Sequence, residues 1–342
     1  MASTLKRSLA GISASEDGIE AAYLRLSCPL CGATSGSEFM TAPDRFHWRL
    51  ERYRLARCAS CFGVWTLDPP GPHAIGAHYG ADYHRLVAAA GETQASVRYK
   101  SHRRLVCSYK TEGMLLDIGC SSGGFLSTMK GRGWKLHGIE IEPSTAETAR
   151  ATTGAEVFVG DVADAPFANE SFDVITCFDV LEHIYEPTGL LRRALAWLKP
   201  GGIFCTVLPN IDSWEARIFR SYWFGLELPR HLVHFSPKSL RFVMEAAGFT
   251  ELHVAAGWSF AESSARYVFS GFLEGIGLTP EPLAKAKRPR LPWRAARKLI
   301  RLALISPFAR IATAAGAGAS IEAVFAKREP QRERDSGRVA VR

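Results

Sequence analysis

The sequence predicts an α/β fold. A mostly parallel sheet with helices on both faces is joined to a small cysteine-rich unit and interrupted by a helical insertion before its last strand. Three observations carry that prediction. From residue 113 onward, short apolar runs alternate with helix-periodic segments, the pattern of parallel strands and crossover helices. Four of the eight cysteines stand in two C-x-x-C pairs, with 26 residues between the pairs. The net charge of +8 is local: nine Lys or Arg and no acid lie between Pro282 and Ile321, and removing them takes the net charge to −1.

The 342 residues, 47% hydrophobic and 22% charged, suit one large folded domain plus a small one. Residues 1–24 read as a flexible tail. "MASTLKRSLAGISASEDG" has basic residues but no apolar stretch behind them, so no secretory signal is expected. Residues 25–68 hold the cysteine pairs and little helical periodicity. "DPPGPH" at 68–73 is a proline-rich break, and 69–112 reads as a helical linker. The core is expected over 113–258, a helical basic insertion over 259–319, a last strand over 320–329 and a disordered tail over 330–342.

Within the core, "MLLDIG" is an apolar strand and "GFLSTMKGRG" a short helix closed by glycine. "KLHGIEIE" is a strand, and "STAETARATTG" a helix with a serine cap and a closing glycine. "AEVFVGDV" and "SFDVITCFDV" are strands. "PTGLLRRALAWLKPGG" is a helix with proline at its start and Gly-Gly at its end. "IFCTVLPN" is a strand, "SPKSLRFVMEAAGF" a capped helix, and "TELHVAAGW" and "SIEAVFAKRE" are the closing strands.

The loop "LLDIGCSSGGFL" at 115–126 admits three readings. Gly119-Cys120-Ser121-Ser122-Gly123 fits G-x-S-x-G, but a nucleophile elbow follows a central strand reached after others, and here the strand opens the α/β run. A dinucleotide fingerprint needs glycine at 121, where serine stands. The third reading is a cradle for another adenosine-bearing cofactor. Asp117 ends the first strand, and Gly119, Gly123 and Gly124 make a tight turn into a helix. Glu140 ends the second strand, where a carboxylate can accept both ribose hydroxyls, and Asp161 ends the third, where it can take an adenine amine.

These stretches resemble the class I S-adenosylmethionine-dependent methyltransferases. "LLDIGCSSGGFL", "GIEIEPS", "GDVADAPFANESFDVITCFDVLEH" and "LKPGGIFCTVLPN" stand in that family's order and spacing, so the likeness covers 113–258 and the strand at 320–329. The resemblance implies a seven-stranded sheet ordered 3-2-1-4-5-7-6 with the seventh strand antiparallel. It implies that Asp117 and the loop from Gly119 through Cys120 to Gly123 hold the methionine part of S-adenosylmethionine. It assigns the ribose to Glu140, adenine to Asp161 and the Val162 backbone, and the methyl-transfer pocket to Phe178 and Asp179. For Cys120 and Phe178, simple packing is an equal alternative.

Cys28, Cys31, Cys58 and Cys61 offer four thiolates in two knuckles, which suits a closed tetrahedral and therefore structural Zn²⁺ site. Cys107, Cys120, Cys177 and Cys205 are scattered, so no disulfide framework is expected; thiols in this pattern point to a reducing compartment, the cytoplasm. A zinc ribbon followed by a stretch like "HYGADYH" is similar to a unit preceding the methyltransferase core in many bacterial enzymes. Asp179, Glu182 and His183 form D-x-x-E-H, which resembles a divalent-ion motif of ubiquinone-type O-methyltransferases; helix capping is the bland alternative. In "PRHLVHFS", His231 and His234 are candidate general bases, or braces for their loop.

Over 285–310, Trp293, Ala296, Ile300, Leu304 and Phe308 fall at helical spacing beside Arg294, Lys298 and Arg301. Such a helix suits peripheral contact with an anionic membrane, or packs on its own domain. Charges and a proline at 301, 307 and 310 argue against a transmembrane span. The expectation is a methyltransferase using S-adenosylmethionine and structural Zn²⁺ on a small-molecule, glycan or lipid-linked acceptor, by O- or C-methylation. An RNA methyltransferase is the first rival. Nucleic acid is disfavoured because the fourth strand ends in "CFDV", and "LDPPG" at 67–71 lies before the glycine loop. A cofactor-binding interaction protein without activity is the second.

Overall fold

The computed structural model of the chain describes residues 25–47, 49, 51–79, 96–257, 260–275 and 301–328. The expected tails at 1–24 and 330–342, and Trp293, Arg294, Ala296, Lys298 and Ile300 of the basic stripe, lie outside them.

A first sheet is antiparallel. β1 (Gly36–Pro43) pairs β2 (Arg52–Cys58), and β2 pairs β3 (Val64–Thr66). The large sheet contains β4 (Gly113–Ile118), β5 (Trp134–Glu140), β6 (Glu156–Val159), β7 (Phe172–Phe178), β8 (Leu198–Pro209), β10 (Phe249–Ala256) and β11 (Ser320–Lys327). Its order is β10-β11-β8-β7-β4-β5-β6, with β11 antiparallel to both neighbours. Counted in core-strand order this is 6-7-5-4-1-2-3, the order that the resemblance implies. β9 (Val233–His234) is the exception to sequential layering: it leaves the core and adds to the edge of β3.

β4 and β7 are central and covered on both faces, which is why they read as unbroken apolar runs. Successive residues take opposite sides. Leu116 and Ile175 pack on one face with Leu190, Leu191, Leu240 and Met244, while Leu115 and Val174 pack on the other with Phe125, Leu126 and Ala149. The first face is continuous with Leu30, Trp65 and three of the paired cysteines, so the cysteine unit shares the core's apolar interior.

Among the described residues the α-helices are α1 (Ser96–Cys107), α2 (Gly124–Met129), α3 (Pro143–Thr153), α4 (Pro187–Trp197), α5 (Trp214–Phe219), α6 (Pro237–Ala246), α7 (Ala261–Gly275) and α8 (Ser306–Ala314). Their signals are local. α3 has proline in its first turn and left-handed Gly154 after its last, and α6 opens on a Ser236–Ser239 capping box. α4 stops at Trp197, short of the expected Gly-Gly, because Leu198 already pairs with Phe172. No helix among the described residues is long and apolar enough to cross a membrane.

Candidate functional site

The carboxyl ends of β4, β5 and β6 carry Asp117, Glu140 and the turn at Asp161 side by side. Gly119 has φ +72, and a Cβ there would sit 2.5 Å from Val180 Cγ2. Gly123, at φ +81, caps α2, and a Cβ there would meet Thr153 Cγ2 at 2.7 Å. The glycines therefore let the loop lie close to two neighbouring elements. Glu140 Oε2 accepts the Ser121 N–H at 2.9 Å and Oε1 the Glu142 N–H at 3.0 Å, so the same carboxylate shapes the loop. Asp161 Oδ1 accepts the Ala163 N–H at 2.7 Å and starts the single turn Val162–Asp164.

Asp117 is buried and accepts a hydrogen bond from Thr176 Oγ1 at 2.7 Å. Burial pushes its carboxyl up to about 7 against the lowering effect of Thr176, and nearby Glu140 raises it further. A cationic ligand would pull it back down. Acidic ends on three adjacent strands above a glycine turn fit S-adenosylmethionine, whose sulfonium and ammonium are positive. Cys120 is buried against Gly138, where a Cβ would fall 2.6 Å from its sulfur, which favours packing as its local role.

Phe178 stacks on His102 of α1 with ring centroids 4.2 Å apart and meets Phe125 edge-on at 5.0 Å. Asp179 follows at φ +53, and its carboxylate pairs with Arg98. α1 thus covers the end of β7 with Arg98, Tyr99 and His102. Burial drives His102 down to about 3, so it is neutral there. Nothing in the sequence of the linker marked these residues; they reach the site only because α1 packs across α2.

The D-x-x-E-H stretch is one tight turn, Leu181–His183, and not a helix. Asp179 faces Arg98, whereas Glu182, His183 and His231 bring ligand-capable atoms within 4.8 Å of one another. Glu182 is 1% exposed, with no hydrogen bond to either carboxylate oxygen among the described residues, and burial pushes its pKa well up. His183 Nδ1 lies 3.0 Å from the Arg230 carbonyl and 2.9 Å from the Tyr79 hydroxyl. Its ring centroid is 4.6 Å from that of His231.

His231 Nδ1 lies 2.9 Å from the Gly225 carbonyl, which can only accept, so this nitrogen carries the proton. Nε2 faces Glu227 Oε2 at 3.7 Å. Burial, reinforced by His183, holds the His231 pKa well below its usual value. His234 is buried in β9 with no hydrogen bond at either ring nitrogen among the described residues, 6.2 Å from His231 between centroids.

Cys28 Sγ lies 3.5 Å from Cys61 Sγ, and Cys31 Sγ lies 3.5 Å from Cys58 Sγ; all four fall within 4.8 Å of one another. Thiolates at the corners of a zinc tetrahedron with Zn–S of about 2.3 Å stand roughly 3.8 Å apart, so the group fits that ion. The contact with Cys61 pulls the Cys28 thiol down to about 6 and pushes Cys61 up. A surface hollow of about 280 Å³ lined by Lys130, Trp134, Lys135 and His137 opens at the other, amino-terminal ends of β5 and β6, away from all these groups.

Residues 92–254 match the methyltransferase domain family. The ubiquinone biosynthesis O-methyltransferase of Idiomarina loihiensis is 27% identical over 152 residues, 41% of this chain and 63% of that protein. The enzyme of the same name from Burkholderia vietnamiensis is 30% identical over 152 residues, 41% of this chain and 64% of that one. The chain therefore spans less than two thirds of the length of these relatives. Among solved structures, a SAM-dependent methyltransferase from Archaeoglobus fulgidus aligns over 72% of this chain and 100% of its own at 18% identity and a TM-score of 0.49. One from Thermotoga maritima covers 72% and 99% at 20% identity and a TM-score of 0.47. Residues 92–254 thus match a methyltransferase domain, and the sheet that they help to build has the strand order of the class I S-adenosylmethionine-dependent fold.

Proposed function

We propose that the protein transfers a methyl group from S-adenosylmethionine to a hydroxyl oxygen of a small-molecule, glycan or lipid-linked acceptor, with His231 as general base. The observation that carries this reading is the His231 tautomer. The Gly225 carbonyl holds the proton on Nδ1, which leaves the Nε2 lone pair for an acceptor hydroxyl. Bound S-adenosylmethionine supplies an electrophilic methyl on a positively charged sulfur. As the acceptor oxygen took that methyl group, His231 Nε2 would accept the hydroxyl proton. Glu227 Oε2, 3.7 Å from Nε2, then offsets the imidazolium charge. Asp117, Glu140 and Asp161 hold the cofactor, and Phe178 with α1 excludes water from the transfer point. Asp179, paired with Arg98, orients the acceptor, and His234 braces the loop from behind.

The name shared by the relatives supports a hydroxylated, hydrophobic acceptor. Among the described residues, Val268, Phe269 and Phe272 of α7 and Leu304 and Ile311 beyond it are exposed. Those exposed apolar side chains, and a sequence with nine cations and no acid between 282 and 321, support contact with an anionic lipid surface, from which such an acceptor would be taken.

The test is transfer of labelled methyl from S-adenosylmethionine to a panel of catechols, prenylated phenols and sugar hydroxyls. Methylated oxygen is expected, with turnover reduced about 10²–10⁴-fold in His231→Gln. A protein that binds S-adenosylhomocysteine but methylates no hydroxyl, or a His231→Gln variant at full rate, overturns the O-transfer reading or the base assignment respectively.

A further inference from the structure

The zinc-ribbon unit reaches the His231 loop by two routes. The first is backbone pairing. Val64 pairs with His234 and Trp65 with Val233; the Thr66 N–H donates to the Leu232 carbonyl at 3.0 Å, and Thr66 Oγ1 donates to the His231 carbonyl at 3.3 Å. On its other side, the Leu232 N–H donates to the Glu182 carbonyl at 2.8 Å. Residues 231–233 are thus clamped between the ribbon and the turn that ends β7.

The second route is a buried chain of charges. Asp44 follows β1 and has no solvent exposure. Its Oδ1 accepts the N–H groups of Phe46 at 3.0 Å and His47 at 3.1 Å, and its Oδ2 lies 3.0 Å from His47 Nδ1 and 3.7 Å from the Arg230 guanidinium. Arg230, also fully buried, donates from Nε to Glu227 Oε1 at 3.1 Å, and its ring of contacts includes the Phe46 face at 4.6 Å. The other oxygen of Glu227 is the one facing His231 Nε2. A buried guanidinium between two carboxylates fixes both, and removing one leaves the other charge poorly compensated.

We infer that Asp44 is a positioning residue for His231: through Arg230 it aims Glu227 at Nε2, so the metal-stabilised ribbon sets the geometry of the acceptor site. This rests on the reading of His231 as base. It predicts that the ribbon acts on the acceptor half of the site and leaves the cofactor half alone, because Asp117, Glu140 and Asp161 hang from strands that the ribbon sheet does not pair with.

The test uses the zinc-loaded full chain labelled with ¹⁵N-histidine and saturated with S-adenosylhomocysteine, with the His231 signals assigned by His231→Gln. Asp44→Asn should shift the His231 imidazole nitrogens while the S-adenosylhomocysteine Kd stays within about twofold, less than 0.5 kcal/mol. Asp68→Asn, which breaks the ribbon's Arg54–Asp68 pair at 2.8 Å, should move neither. Glu227→Gln alters the last link without touching the ribbon, and should reproduce the His231 shift even where Asp44→Asn fails to fold. Unmoved His231 signals in Glu227→Gln, or in folded Asp44→Asn, overturn the inference. Failure of the unaltered protein to bind S-adenosylhomocysteine would instead sink the methyltransferase reading, and full turnover in His231→Gln the base assignment.

Discussion

The Gly225 carbonyl oxygen and His231 Nδ1 lie 2.9 Å apart, and that contact decides which face of the imidazole can take a proton. Gly225 and His231 are joined by a short loop whose turn is closed by the His231 N–H donating to the Glu227 carbonyl at 3.2 Å. The same turn presents Glu227 to Nε2. The proposed base, its tautomer lock and its charge partner thus come from seven consecutive residues, while Asp44 and the β3 residues that hold them in place come from the amino-terminal unit.

Replacing Glu140 by alanine should weaken S-adenosylhomocysteine binding about 10–100-fold, since hydrogen bonds to a charged group are each worth roughly 1.5–3 kcal/mol. Glu140→Gln should fall between. Because Glu140 also holds the Ser121 and Glu142 amides, a looser loop adds to the loss. Calorimetry giving an unchanged affinity for the alanine variant would remove the ribose assignment.

Asp117 makes binding pH-dependent. In the free protein its carboxyl titrates at about 7, against an ordinary value of 3.8. The folded state therefore keeps a proton that the unfolded state has lost, and stability falls as pH rises from 3.8 to about 7. A positively charged cofactor prefers the ionised form, so affinity should rise from pH 6 to 8 with proton release on binding. Asp117→Asn should raise the Tm at pH 8 and flatten the pH dependence of binding. Equal affinity at both pH values in the unaltered protein would contradict this.

The four-cysteine group should hold one Zn²⁺ per chain. Elemental analysis of purified protein should give stoichiometric metal, and a Cys58→Ser variant should lose it. A deficit of even about 3 kcal/mol would lower the Tm by roughly 6–12 °C for a domain of this size. Metal-free protein with an unchanged Tm would mean that the shared apolar interior alone holds the ribbon.

The basic segment should bring the protein to anionic vesicles and not to neutral ones. Each Lys or Arg near such a surface contributes about 1 kcal/mol, so half of the nine suffices for salt-sensitive sedimentation. Changing Arg294, Lys298 and Arg301 together to glutamate should abolish it while the melting curve of the core stays put. Equal sedimentation with both vesicle types would dismiss the electrostatic part of the reading.

Asp117, Glu140, Asp161 and the two C-x-x-C knuckles were legible from the chain alone, because each is a residue type at a fixed place in a short pattern: a strand end, a glycine turn, a tight loop. The order of apolar runs and helix caps likewise announced the alternating core. The pairing of β9 with β3, the Arg98–Asp179 contact, the grouping of Glu182 and His183 with His231, and the Asp44–Arg230–Glu227 chain were not. A two-residue strand has no periodicity to detect. Ion pairs between residues far apart in sequence depend on how separate elements close over one another. Local preference writes the strand ends and glycine turn of the proposed cofactor half, and long-range packing of the ribbon against the loop after β8 writes the proposed acceptor half.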